Sequence, residues 1–194
     1  MTAGPVGLRC NAIWRCVLSS LCGVRADAAV RAAAPWWAAH PDGGIVVGVG
    51  HAYRLHRIDF RGDTLLTIEV DRAPVPVAAA ERDSAIAAFR ELAGRVPGAM
   101  PDREPRVPST KPAHGMLFVD DRSHIWVWRT PARSEPPAWD AFDDAGRLLG
   151  QVASPVAPTF IPPSVRGDLM AVVTRVDDVP VVVVYDIVRG RSAE

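Results

Sequence analysis

Ile58-Asp59-Phe60-Arg61-Gly62-Asp63-Thr64-Leu65-Leu66 and Ala141-Phe142-Asp143-Asp144-Ala145-Gly146-Arg147-Leu148-Leu149 are two copies of one phrase. In each, an apolar run stops at Asp, a short Gly-containing turn follows, and a second run opens on paired leucines. Upstream of the copies lie Ile45-Val46-Val47-Gly48-Val49 and Ile125-Trp126-Val127-Trp128, β-branched and aromatic runs of strand length. A weaker third copy runs through Leu169-Met170-Ala171-Val172-Val173 and Pro180-Val181-Val182-Val183-Val184-Tyr185-Asp186-Ile187. Recurrence of one strand-turn-strand unit is the signature of a repeat architecture.

Working outward, Trp37-Ala38-Ala39-His40 reads as a strand and Pro41-Asp42-Gly43-Gly44 as a turn. With the runs at Ile45, Tyr53 and Thr64 this makes four strands in about 35 residues, the size of one propeller blade. A second set starts at Gly115, where alternation puts Ile125 and Val127 on one face and Trp126 and Trp128 on the other. A strand apolar on both faces belongs in a sheet stacked between two neighbours. The third set begins at Pro163-Ser164-Val165 and lacks a fourth strand. Its partner would have to come from residues 1–34, which show neither helical nor strand periodicity and read as an irregular or weakly signal-like segment. The predicted class is all-β with one inserted helix: a partial β-propeller of about two and two-thirds four-stranded antiparallel blades over residues 35–190. A helix from Ala79 to Ala93 and the Pro-rich connector after it form an insert over residues 71–114; residues 191–194 are a tail.

Lys plus Arg and Asp plus Glu number 22 each, so the net charge is zero and nothing resembles the electrostatic footprint of a nucleic-acid binder. Cys10, Cys16 and Cys22 are spaced by six, which matches no zinc pattern. No run approaches the roughly 18 apolar residues of a membrane-spanning helix. Gly-x-Ser-x-Gly, His-Glu-x-x-His and Walker signatures are all missing. Arg61-Gly62-Asp63 and Arg166-Gly167-Asp168 fall where tight turns are expected, and turn chemistry explains them. The acidic pairs Asp120-Asp121 and Asp143-Asp144 also sit in turns, short of the six or more oxygens calcium takes. Lys111, the only lysine, and His114 lie on the connector that enters an inner strand, where a cation and an imidazole would suit an anionic ligand.

These residues carry a resemblance. Pro74-Val75-Pro76-Val77, Ala79-Ala80-Glu81-Arg82-Asp83, Thr110-Lys111-Pro112-Ala113 and Leu117-Phe118-Val119-Asp120-Asp121 with Trp139-Asp140-Ala141-Phe142-Asp143 resemble the C-terminal portion of bacterial six-bladed β-propeller proteins of the NHL/TolB-like kind. In those proteins a Thr commonly caps the insert helix; here Ala78 stands in that place. The resemblance implies a cell-envelope or secreted setting and no assigned reaction. It also implies that about half of the blades are absent, through truncation or a misplaced start. Open blade faces then predict a protein partner or self-association. The functional expectation is a non-enzymatic ligand-binding or protein-interaction module that takes no cofactor or metal, with Lys111 and His114 as ligand-binding candidates. A lactonase-like propeller hydrolase with its catalytic groups in missing blades is the first alternative, and a product without independent function the second. Lactonase propellers use Asn beside Glu and Asp, whereas the sole Asn of this chain is Asn11.

Overall fold

The computed structural model describes residues 7–15, 35–95, 106–132, 135–154, 156, 159, 161–177 and 179–188. Among them are three antiparallel sheets of four strands each and one helix. The first sheet has the order β2 (Pro35–Ala39), β3 (Ile45–Val49), β4 (Arg54–Ile58), β5 (Thr64–Glu69). The second has β6 (His114–Val119), β7 (Ile125–Arg129), β8 (Ala138–Phe142), β9 (Leu148–Ala153). The third has β10 (Ser164–Arg166), β11 (Leu169–Val176), β12 (Val179–Val188) and, at its edge, β1 (Gly7–Arg15). The predicted all-β class and the strand groups of the repeated phrase are therefore present.

The third sheet corrects one expectation. Residues 1–34 were expected to carry no strand and the third unit to lack its fourth. Instead Gly7–Arg15 pairs antiparallel with β12, from Gly7↔Val188 to Arg15↔Val181. The register shifts between Cys10 and Ala12, which inserts Asn11 as a bulge. A bulge breaks the period of two by which a strand is read from sequence, so this one was hidden. Residues 16–34, including the signal-like stretch with Cys16 and Cys22, and the tail at 191–194 lie outside the described residues.

Two apolar clusters flank the second sheet. Leu117, Ile125, Val127 and Phe142 pack with Val46, Tyr53, Leu55 and Ile68 of the first-sheet side. Phe118, Trp126, Trp139 and Val152 pack with Met170, Val172, Val183 and Tyr185 of the third. The alternation at Ile125–Trp128 thus sends successive side chains to opposite neighbours, as a stacked sheet requires. The inner strands β2 and β6 touch, and so do the outer strands β9 and β1.

The helix α1 (Ala79–Arg95) stands on the insert. Ala78 offers no capping side chain, so Glu81 supplies the cap: its Oε2 accepts from the Ala78 N–H at 2.9 Å. The two ends of the insert zip together, Val77 N donating to Ser109 O at 2.9 Å and Lys111 N to Val75 O at 2.8 Å. Ala113 N then donates to Gly50 O at 2.8 Å, which delivers the chain into β6.

Candidate functional site

Chemistry-bearing side chains gather at two opposite ends of the strands. At one end, the same turn is built three times. Asp59 Oδ1 accepts from the N–H groups of Arg61 and Asp63, Asp120 Oδ1 from Arg122 and His124, and Asp143 Oδ1 from Ala145 and Arg147, all at 2.8–3.0 Å. A short polar side chain that satisfies backbone donors two and four residues on is what closes such a turn. These bonds hold the Asp143 carboxyl below its ordinary range, the Arg147 N–H first among them. Asp120 and Asp143 therefore act as turn builders.

His40 heads a fourth copy. Its backbone makes the same two turn bonds, His40 N to Gly44 O and Gly43 N to His40 O, and its Nδ1 accepts from the Asp42 N–H at 3.2 Å. The imidazole replaces the aspartate. Nδ1 can accept only when it carries no proton, so the neutral ring has its proton on Nε2. Nε2 faces Asp144 Oδ1 at 3.3 Å. Burial first, then the charge of Arg57, lowers the His40 pKa. Gly44 is required beside it: at φ +80° an added Cβ would lie 2.1 Å from the Ile58 carbonyl oxygen.

His40, Asp42 and Asp144 bring ligand-type atoms within 4.8 Å of one another. A cation is already in place there. Arg57 Nη1 lies 2.5 Å from Asp144 Oδ1, and Nη2 lies 3.9 Å from Asp42 Oδ2. Ser123 Oγ also donates to Asp42 Oδ2 at 3.2 Å. Asp42, His40 and Arg57 belong to the first sheet, Asp144 and Ser123 to turns of the second, so the cluster is a polar latch between sheets. A smaller latch joins the second to the third: Arg122 Nη1 lies 3.7 Å from Asp168, and the Gly167 N–H points at Asp121 Oδ1 at 3.4 Å.

At the other end, the Tyr53 hydroxyl donates to Asp140 Oδ2 at 2.6 Å, with both residues buried. Burial pushes the Asp140 carboxyl up, and burial followed by the Asp140 charge pushes the Tyr53 hydroxyl up. Nearby, Glu135 gathers Arg129 Nη2 at 3.0 Å, the Arg72 guanidinium and the Ala132 N–H. The Ala132 bond and the two arginines hold its carboxyl low.

Of the two residues singled out from sequence, Lys111 pairs with the insert helix and His114 lies against the Tyr53–Asp140 pair. Lys111 Nζ lies 2.5 Å from Glu81 Oε1, so its anion comes from the insert helix of the same chain. His114 is fully buried beside Tyr53, ring centroids 5.5 Å apart, with Nδ1 3.0 Å from the Gly115 carbonyl. Burial lowers its pKa. Asp140 belongs to no catalytic or metal-ligand motif in the sequence. The available signal was a carboxylate in the middle of a strand apolar on both faces.

No family model matches the chain, and no curated protein matches it significantly.

Proposed function

We propose that the chain is a non-enzymatic protein-interaction module whose working surfaces are the two end faces of its stack of sheets. One observation carries the reading. Trp37, Val47, His56 and Thr67 form a cross-strand row on the face of the first sheet turned away from the second, and Trp37 is 66% exposed. Ile45 and Ile58 pair in the adjoining row, and Val49 lies further along the same face. Solvent-facing Trp amid β-branched residues on an uncovered sheet face is characteristic of a surface that another protein covers. The polar groups support the same reading, because His40, Arg57, Asp144, Tyr53, Asp140 and Lys111 are each engaged within the chain.

The test places a photo-crosslinking amino acid at Trp37 and irradiates the protein in its own cells. Covalent capture of a protein from position 37, and none from the exposed Phe60 in a turn, is the expected result. Equal labelling from both positions contradicts it.

A further inference from the structure

We infer that the partner covering these faces is a second copy of this chain, joined head to tail so that two copies close a ring of six four-stranded sheets. The inference rests on the interaction reading above and names its partner.

Strand order carries the argument. The chain enters the first sheet on β2 and leaves it on β5, then enters the second on β6 and leaves on β9 for β10. Each step runs from the outer strand of one sheet to the inner strand of the next. β1 occupies the outer position of the third sheet, and residues 16–34 lead from it to β2, the inner strand of the first. By this rule a first sheet follows a third. Within one chain the second sheet stands between them. Between two copies, a β1 inserted into the neighbour's third sheet lies next to its own first sheet. The step is then like the others.

The faces fit this arrangement. Inside the chain, stacking always joins unlike faces, one from the preceding sheet and one from the following. The two faces left over are also unlike. One is the Trp37 face of the first sheet. The other is the third-sheet face, where Val173 pairs with Val182 and Ala171 with Val184, half-buried, with Leu169 exposed beside them. A head-to-tail contact between unlike faces gives a ring if the rotation closes. Propellers close with about four to eight sheets. The described residues of one copy supply three sheets, so two copies supply six and three would supply nine.

The first measurement is the native mass by sedimentation equilibrium. Twice 20.9 kDa is expected. Trp37→Arg and Val182→Arg alter opposite end faces on exposed or half-buried positions. Each is expected to halve the mass with an unchanged circular dichroism spectrum. Mixing the two variants restores one unaltered junction per pair and returns part of the dimer. A dimer lost in Trp37→Arg but kept in Val182→Arg means like faces meet, and overturns the ring. For strand exchange, Ala12→Cys with Val184→Cys, opposite each other in register, is made in a chain whose native cysteines are serines. A covalent dimer on a denaturing gel is expected, and a bridge within single chains overturns the exchange. A wild-type mass of 20.9 kDa overturns the second copy outright. In that case, capture of a different protein from position 37 preserves the interaction reading, and no capture removes both.

Discussion

The first and second sheets are built from the same phrase and meet different fates. Both have four antiparallel strands and both close a hairpin with an Asp whose carboxylate accepts two backbone N–H groups. In the second sheet Val127 is 0% and Trp139 1% exposed, because neighbours cover both faces. In the first, Trp37 is 66% exposed, because only one face is covered. A strand's own residues set its pairing. Its place in the stack sets what its side chains contribute to stability, and which of them remain available to a partner.

The comparison breaks first at its tryptophans. Trp139 packs edge-on against Phe118 and Trp128, with centroids 5.2 and 5.1 Å away. Trp139→Ala is expected to cost about 3–5 kcal/mol in denaturant unfolding, in line with buried aromatic truncations. A loss under about 1 kcal/mol would mean the second sheet is not sandwiched. Next comes Gly44→Ala, which forces a Cβ onto the Ile58 carbonyl at a positive φ. About 3 kcal/mol is expected in the same assay, whereas Gly62→Ala, with nothing within 4 Å but a φ of +94°, should cost only its backbone strain, about 1 kcal/mol.

Tyr53→Phe removes the donor from the buried Asp140 and should cost about 1–3 kcal/mol at neutral pH. Asp140→Asn keeps an acceptor for Tyr53 and removes a carboxylate that burial disfavours, so it should cost less than Tyr53→Phe. Thermal unfolding of the two variants side by side decides this. The reverse order would place the stabilisation on the carboxylate charge.

The smallest effect is a pH dependence. His40 and His114 both have folded-state pKa values below the ordinary 6.5. The unfolded chain therefore takes up those protons first, and stability should fall as pH drops below about 6.5. His40→Asn keeps an acceptor for the Asp42 N–H and does not titrate, so it should flatten part of this slope in thermal melts from pH 7.5 to 5. An unchanged slope would remove His40 from the account.

Much of the sheet architecture was legible because the strands follow a clean period of two and their turns carry Gly and Asp. β7 was read on both faces for that reason. β1 was not, because the bulge at Asn11 breaks its alternation. The helix reading ended at Ala93, and the structure carries α1 to Arg95. The polar sites were less legible. Tyr53 and Asp140 are 87 residues apart, and only stacking brings them together. His40 takes the place of an aspartate in its turn, an equivalence carried by hydrogen-bond geometry and absent from any residue pattern.

The most direct test of the account is hydroxyl-radical footprinting of Trp37 and Trp139 in the wild-type protein and in Val182→Arg. Head-to-tail stacking predicts that Trp139 is protected in both, and that Trp37 is protected in the wild type but labelled in Val182→Arg, a substitution on the opposite end face. Equal, strong labelling of Trp37 in both proteins would contradict it and leave the first sheet's outer face bare.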